Sequence, residues 1–295
     1  MLTKPSIQAI PSLSKNNYAM SILRLDQLHP IVSGNKWYKL RYYIQEALHA
    51  STPTIASFGG PYSNHLVALA FAAQENKLKS IGYVRANQNE PITPSLQEAL
   101  AYGMHLEFIG RTQFQETKNE LLQINKNSSN STTYFIDEGG YGVLGAKGAA
   151  TILSAQDTSS FDSILCAVGT GTMLAGLINS ATPHQEIIGI PILKNENSLA
   201  EEINSLVINK QATWTILHQF HQGGYAKTNP ALIQFMNELW TLEKIPTDII
   251  YTGKLLFAVH ELMQTHYFKP NSKILIIHSG GLQGNRSLPK DSLLF

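Results

Sequence analysis

The sequence predicts an α/β protein whose mostly parallel sheets are covered by helices on both faces. Apolar, strand-like runs alternate with amphipathic helical runs along nearly the whole chain, and this alternation is typical of parallel strands joined by crossover helices. A second observation is that several predicted strands end in glycine-rich turns. Because ligands bind outside the carboxyl ends of the strands in such sheets, we expect these turns to line one cleft.

Composition narrows the kinds of partner and compartment. The chain has 295 residues and a formal net charge of +1, with 43% hydrophobic and 15% charged residues. This balance gives no support for nucleic acid or an anionic membrane as a partner. The single cysteine, Cys166, excludes an internal disulfide. No apolar run reaches the length of a membrane span and the N-terminus lacks the apolar stretch of a signal peptide, so we expect a cytoplasmic protein.

The elements of the first half follow from periodicity and turn residues. Apolar residues at helical spacing predict a helix within "SGNKWYKLRYYI" (33–44). A second helix over "SNHLVALAFAAQENKL" is predicted to be capped by Ser63 or Asn64, and a third, "PSLQEALAYG", by a capping box of Ser95 and Glu98. The other predicted elements are the helix "FQETKNELLQI", a polar loop "KNSSNSTT", and the strands "TPTIASFGG", "KSIGYVRA", "HLEFIG" and "YFIDEGG".

The second half repeats the alternation of strands and helices. The predicted strands are "DSILCAVG", "EIIGIPIL", "ATWTILHQF", "PTDIIYTG" and "SKILIIHSGG". The predicted helices are "MLAGLINS", "NSLAEEINSLVINK", "NPALIQFMNELWTLEK" and "KLLFAVHELMQTH". No repeat of solenoid length and no clean linker divides the chain.

The turn within "AVGTGTMLAG" is the best candidate for binding a phosphate group. Gly169, Thr170, Gly171 and Thr172 join a buried strand to a helix N-terminus, where bare N–H groups, the helix dipole and two hydroxyls would face an anion. The turn is neither a Walker A loop nor a complete G-x-G-x-x-G dinucleotide fingerprint. A single small phosphate therefore fits better than ATP or NAD, and a packing turn without a ligand is the other interpretation.

Lys36 is the candidate for covalent chemistry. It falls in the first turn of the predicted helix, at the positive end of the dipole, where a cation is disfavoured. Partial burial there would lower the pKa of its amine and favour the neutral form that a Schiff base requires. A phosphate site combined with an activated lysine suggests pyridoxal phosphate (PLP). Taken alone, a solvated lysine at a helix start is the alternative.

Six motifs together resemble the 1-aminocyclopropane-1-carboxylate (ACC) deaminase/D-cysteine desulfhydrase family. They occur in the family's order and cover nearly the whole chain apart from its first residues. The motifs are "SGNKWYKL", "GGPYSNH", "EGG", "VGTGTMLAG", "YTGK" and "HSGGL".

The resemblance implies a PLP enzyme of fold type II, similar to the tryptophan synthase β-subunit. Such an enzyme has two open, twisted, mostly parallel sheets covered by helices in a three-layer α/β/α arrangement, with the cofactor between the domains. The resemblance places a small inserted α/β domain at 39–147 and a large PLP-binding domain at 1–38 plus 148–295. It also implies a homodimer.

Carried over to this sequence, the resemblance assigns cofactor contacts in both halves of the chain. Lys36 would carry PLP covalently, and Asn35 would hydrogen-bond its 3′-oxygen. Gly169 to Thr172 would hold the phosphate, and Tyr251 would lie against the ring. Lys39 matches a basic position of the family, and we interpret it as structural.

Substrate contacts are implied for the motif "GGPYSNH". Ser63 and Asn64 would bind the substrate carboxylate beside the helix N-terminus, and Ser63 matches the family's catalytic serine. His65 would contact the substrate, although a surface or capping histidine is an equally open interpretation. Tyr62, which follows the rigid Pro61, would narrow the substrate pocket.

Two hydroxyl residues bear on the subgroup. Thr252 and Ser279 would lie near the pyridine nitrogen, and which of them is the direct partner stays open. ACC deaminases usually read "YEGK" and carry leucine before the later "GG", so the two hydroxyls resemble the D-cysteine desulfhydrase pattern, as does His65. A neutral partner makes the ring a weaker electron sink, which suits loss of sulfide better than opening of a cyclopropane.

The expected function is therefore a PLP-dependent lyase that converts D-cysteine to pyruvate, sulfide and ammonia. One alternative keeps the cofactor but changes the substrate to ACC or to another D-amino acid or β-substituted alanine. An alternative of another class is a non-catalytic α/β protein that binds a phosphorylated metabolite. The sequence contains no paired Cys/His spacing of a metal site and no G-x-S-x-G nucleophile elbow.

Overall fold

The computed structural model describes residues 3–14, 17–50, 52–127, 132–194 and 198–295. They form two compact units: the larger comprises Met1–Asn35 and Ala149–Phe295, and the smaller comprises Lys36–Gly148. The family resemblance predicted a small inserted domain at 39–147. Both predicted boundaries fall within a few residues of the ends of the smaller unit.

The regular elements of the described residues alternate for most of the chain. The strands are β1 (Ile7–Ala9), β2 (Ala19–Arg24), β3 (Thr54–Gly59), β4 (Lys79–Arg85), β5 (Met104–Ile109), β6 (Thr133–Phe135), β7 (Ser163–Val168), β8 (Glu186–Pro191), β9 (Thr213–Ile216) and β10 (Lys273–His278). The helices are α1 (Asn35–His49), α2 (Asn64–Glu75), α3 (Pro94–Ala101), α4 (Phe114–Asn127), α5 (Val143–Ala149), α6 (Thr172–Ser180), α7 (Leu199–Leu206), α8 (Pro230–Glu243) and α9 (Thr252–Gln264).

Each unit is built on one sheet. The larger unit has the strand order β1-β2-β10-β7-β8-β9, and the smaller has β5-β4-β3-β6. All pairings are parallel except that of β1 with β2. Every residue of β7 is buried, and successive side chains of a strand point to opposite faces, so both faces of this sheet are covered. The predicted α/β class with helix-covered parallel sheets is confirmed.

Each unit has its own apolar core. In the larger unit, side chains of the central strands such as Leu165 and Ile276 pack with α9 residues such as Leu255. In the smaller unit, Phe58 of β3 packs with Phe114 and Phe135. Burial of such side chains at roughly 25 cal/mol per Å² is the main stabilising contribution in both units.

One predicted strand is wrong. The apolar run in "PTDIIYTG" forms no strand, and residues 249–251 are a turn that leads into α9. The cause is Asp248, whose carboxylate accepts hydrogen bonds from the backbone N–H groups of Ile250, Tyr251 and Thr252. These N–H groups are therefore unavailable to a neighbouring strand. The helix also begins at Thr252, two residues before its predicted start.

The predicted cap of α2 is confirmed, whereas that of α3 is wrong. Ser63 caps α2 by accepting a hydrogen bond from the backbone N–H of Leu66 at 3.2 Å. The cap of α3 is Thr93, followed by Pro94, and not Ser95. Proline is preorganised for the first helical position, so the cap falls one residue before it.

The sequence-based description missed three short elements. The strands β1 and β2 and the helix α5 had no predicted counterpart. Of the predicted loop "KNSSNSTT", residues 128–131 lie outside the described residues, as does residue 197 at the start of a predicted helix. None of the helices in the described ranges is long and apolar enough to cross a bilayer.

Candidate active site

The turn that precedes Lys36 is anchored by two strand ends of the larger unit. The backbone N–H of Gly34 donates to the carbonyl of Leu25 at 2.9 Å, and that of Asn35 donates to the carbonyl of Ser279 at 3.0 Å. Gly34 has φ +72°, a left-handed conformation that favours glycine. These bonds fix the backbone through which the chain enters α1.

Lys36 lies in the first turn of α1, as the sequence predicted. Its positive charge lowers the pKa values of two neighbours in the smaller unit, Lys39 and His65, although burial is the larger cause for both. Lys39 and His65 are only 4% and 3% exposed. Three basic groups therefore share a poorly solvated region at the start of α1 and α2.

The predicted phosphate turn joins β7 to α6. Gly171 adopts φ +74° at the N-cap of α6, and no side chain caps this end of the helix. The hydroxyls of Thr170 and Thr172 are 3.0 Å apart. A Cβ atom on Gly171 would lie 2.6 Å from Ile203 Cγ1, so α7 packs against the turn from behind. The first N–H groups of a helix lack intrahelical partners and attract anions.

Further predicted cofactor residues surround this turn within the larger unit. The ring of Tyr251 lies 3.4 Å from where a Cβ atom of Gly169 would be. The amide nitrogen of Asn35 lies 3.3 Å from Met173 Sδ, in the first turn of α6. Since Asn35 also bonds to Ser279 through its backbone, the larger unit brings these predicted residues together.

Thr252 and Ser279, the two predicted residues near the pyridine nitrogen, have different surroundings. The Thr252 hydroxyl donates to Asp248 Oδ1 at 2.7 Å and accepts from the backbone N–H of Asp248 at 2.8 Å. Thr252 is fully buried, whereas Ser279 is 7% exposed. Ser279 follows His278, whose ring is held by the carbonyl of Pro246 at 2.6 Å.

The predicted substrate residues lie on the loop from β3 to α2 in the smaller unit. A Cβ atom on Gly59 would stand 2.5 Å from Ser63 Oγ, so the glycine leaves room for the serine. The carbonyl of Pro61 accepts a hydrogen bond from the Thr93 hydroxyl, which anchors the loop beside Tyr62. Asn64 is the first residue of α2.

His65 is buried, which rules out the interpretation as a surface histidine. Its Nε2 lies 2.7 Å from the hydroxyl of Ser57 on β3. Burial, followed by the charges of Lys36 and Lys39, holds the pKa of the imidazole well below its usual range. The ring is therefore neutral at physiological pH.

Three residues near the predicted site were missed by the sequence analysis. Asp248 holds the turn before α9, and Ser57 orients His65. Lys254, in "YTGK", is fully buried and donates to the carbonyls of His221 and Gly224. The lysine in the motif "YTGK" was a usable signal, and Asp248 bonds to residues only two to four positions ahead of it. The contact of Ser57 with His65, in contrast, joins a strand to a helix.

Comparison with known proteins gives the family. The model of the family described as "Pyridoxal-phosphate dependent enzyme" matches residues 5–280. The chain belongs to this family of PLP-dependent enzymes.

Relatives from both predicted subgroups match this PLP-dependent enzyme to a similar degree. A putative ACC deaminase from Thermotoga maritima is 26% identical, with 95% of this chain and 95% of the relative covered. A D-cysteine desulfhydrase from Klebsiella pneumoniae is 25% identical, with 93% and 90% covered. The predicted resemblance is confirmed, but these values do not distinguish the substrates.

Solved structures support fold type II. An ACC deaminase homologue has a TM-score of 0.84 at 23% identity, with 96% of this chain and 91% of that chain covered. The processed threonine deaminase isoform 2 from Solanum lycopersicum has a TM-score of 0.69 at 16% identity, with 95% and 80% covered. At these identities the likeness concerns the fold alone.

The residues of the larger unit fit a phosphate-bearing cofactor. The N-terminal end of α6 has no side-chain cap, and its N-cap residue, Gly171, has no side chain that would cover the backbone N–H groups. The hydroxyls of Thr170 and Thr172 lie beside this end of the helix. These are donors of the kind that a phosphate monoester requires. No group of three or more His, Cys, Asp or Glu side chains able to hold a metal ion occurs in the described part of the chain.

Proposed function

We propose that this PLP-dependent enzyme is a lyase that eliminates the β-substituent of a small amino acid, with D-cysteine as the best candidate. The overall reaction would convert D-cysteine and water to pyruvate, hydrogen sulfide and ammonia. The observation that carries this choice is the presence of hydroxyl residues, Thr252 and Ser279, at the two positions implied for the pyridine nitrogen.

Of the two, Ser279 is the better candidate for the direct partner of the pyridine nitrogen. The Thr252 hydroxyl gives its hydrogen to Asp248 and accepts from the same residue, so its donor is already used. A serine hydroxyl leaves the ring a moderate electron sink. Such a sink suits a reaction in which the leaving group, a thiolate, is itself stable.

The proposed work of the protein residues is binding, orientation and proton transfer. Gly169 to Thr172 would hold the phosphate and Tyr251 would flank the ring, while Asn35 would contact the 3′-oxygen. When bound, PLP supplies an electron sink for negative charge at the substrate Cα.

In the smaller unit, Lys36 is proposed to carry the cofactor and then, as a free amine, to take the Cα proton at Nζ. Ser63 and Asn64, at the N-terminus of α2, would bind the substrate carboxylate. The C–S bond then breaks, and the sulfur leaves with its electron pair. Tyr62 and His65 would contact the rest of the substrate.

The lysine assignment is tested on the purified protein. Reduction with borohydride followed by peptide mapping should find the cofactor on Lys36, and Lys36→Ala should lose the visible absorbance of lysine-bound PLP. Lys39→Met is the matched control, because Lys39 is the next lysine along the same helix. Cofactor found on Lys39, or no bound PLP at all, would refute the assignment.

A substrate panel tests the reaction. Sulfide and pyruvate should form from D-cysteine faster than α-ketobutyrate forms from ACC, measured on the same PLP-loaded preparation. ACC deamination is the second candidate, because relatives described as putative ACC deaminases match this chain as well as D-cysteine desulfhydrases do. PLP binding without turnover of either substrate would count against both.

We also propose a cytoplasmic location, as expected from the sequence, and a homodimer, as implied by the resemblance to the family. Light scattering on the purified protein should give twice the 32.6 kDa mass of one chain. Cell fractionation with antibody detection should recover the protein with cytoplasmic markers. A monomer, or recovery in a membrane fraction, would contradict the respective proposal.

A further inference from the structure

The contacts of Ser57 determine the tautomer of His65. The Ser57 hydroxyl lies 2.8 Å from the carbonyl of Ile136, and a carbonyl can only accept, so the single hydroxyl hydrogen is directed there. The Ser57 oxygen must then accept from His65 Nε2, which lies 2.7 Å away. The imidazole therefore carries its proton on Nε2, and its Nδ1 is a bare acceptor.

This Nδ1 atom is buried and has no hydrogen-bond partner among the described residues. Protonation does not relieve it, because burial, the largest cause, holds the pKa of the ring well below its usual range. A buried acceptor without a donor is unfavourable. An acceptor of this kind points to a donor from outside the polypeptide.

The surroundings place this acceptor in the proposed substrate site. His65 directly follows Ser63 and Asn64, which form the N-terminal end of α2. On its other side, Gly140 adopts φ +73°, and a Cβ atom there would lie 3.7 Å from His65 Cε1 and 3.5 Å from Lys39 Cε. The glycine thus keeps the backbone close to the ring without a side chain.

We propose that His65 Nδ1 accepts a hydrogen bond from a thiol or hydroxyl on the β-carbon of the substrate, and that Ser57 is the positioning residue that makes this possible. The proposal rests on the proposed function. The substrate carboxylate offers only acceptors, and the amino nitrogen of the substrate would be bonded to the cofactor. The β-substituent is therefore the remaining donor. ACC has no such donor, and the acceptor therefore discriminates against it.

The tautomer can be measured without any turnover. Long-range ¹H–¹⁵N correlation spectra of the PLP-loaded protein, labelled at histidine nitrogen, should show the bare-nitrogen shift for Nδ1 of His65, assigned by comparison with His65→Asn. Ser57→Ala should move these resonances towards a tautomer mixture, and Ser57→Thr should restore them. Ser80→Ala is the control, because Ser80 is a buried serine on the adjacent strand β4.

The ligand arm compares D-serine with D-alanine, which differ only in the β-hydroxyl. Titrations of the cofactor absorbance should show that His65→Phe and Ser57→Ala weaken D-serine binding relative to D-alanine by about fivefold, the typical net effect of one neutral hydrogen bond. In the Ser80→Ala variant, the ratio of D-serine affinity to D-alanine affinity should equal that of the wild type.

Several results would overturn the inference. These are a proton on Nδ1, a cationic ring at neutral pH, or an unchanged D-serine to D-alanine ratio in His65→Phe. A His65 Nδ1 shift that responds to Lys39→Met but not to D-serine would assign the donor to that lysine instead. Failure of the proposed function is distinguishable, because it appears in the wild type as PLP absorbance without sulfide release from D-cysteine, whereas the His65 tautomer and the binding ratio are measured without turnover.

Discussion

Gly34 and Ser279 are packed so closely that a Cβ atom at position 34 would stand 1.7 Å from the Ser279 carbonyl oxygen. The two residues are far apart in sequence, yet their backbones meet where the chain turns into the helix that bears Lys36. The position of the candidate catalytic lysine therefore depends on a backbone contact that only glycine permits.

Replacing Gly34 with alanine should disturb this turn. Both the left-handed backbone and the contact with Ser279 oppose a side chain, so the free energy of unfolding should fall by several kcal/mol, and PLP should bind more weakly. Chemical denaturation and cofactor absorbance measure the two effects. Gly103→Ala is the control, since Gly103 has φ +79° but no atom within 4 Å of its Cβ position. Equal losses in the two variants would contradict the role of the Ser279 contact.

The Asp248–Thr252 pair should behave as one energetic unit. In the native protein, three backbone N–H groups bond to the two carboxylate oxygens of Asp248, and Asp248→Asn leaves them a single acceptor oxygen. Thr252→Val removes the hydroxyl but keeps the shape of the side chain. Each change should destabilise the protein by about 1–3 kcal/mol, and the double variant should lose less than the sum. Asp162→Asn, at an exposed backbone hydrogen bond to Lys273, should cost less. Additive losses measured by urea denaturation would rule out the coupling.

Lys254 should make stability rise with pH in the alkaline range. Burial lowers the pKa of this lysine from 10.5 to about 8, although Asp248 opposes the shift. Between these values the unfolded chain binds more protons than the folded chain, so the free energy of unfolding contributed by this group increases as pH rises from 8 towards 10.5. Lys254→Met should lack this increase. Parallel curves for the two proteins between pH 7.5 and about 10 would contradict the shift.

Gly171→Ala should weaken binding through the phosphate in particular. The substitution strains the left-handed N-cap of α6 and brings a methyl group against Ile203. Affinity should therefore fall more for PLP than for pyridoxal, which lacks the phosphate, as measured by absorbance titration. Adding Ile203→Ala should relieve the steric part only, with Ile203→Ala alone as the control. An equal loss of affinity for PLP and for pyridoxal would show that this turn does not bind the phosphate.

Prediction from sequence succeeded where the signal was local. Helical spacing placed Lys36 in the first turn of α1, and the cap at Ser63 follows from the residue type and the apolar run behind it. The motif set led to the family that comparison confirmed. It failed at Asp248, where two isoleucines suggested a strand but a carboxylate captures the backbone N–H groups.

The sequence by itself determined the alternating α/β plan, the glycine turn before α6 and the lysine at the start of α1, because each depends on periodicity or on neighbouring residues. Only the tertiary structure decided which tautomer His65 adopts and how Ser279 anchors Gly34. These features depend on hydrogen bonds and close contacts between separate elements. Such contacts exist only after the sheets have formed, so no local pattern of residues encodes them.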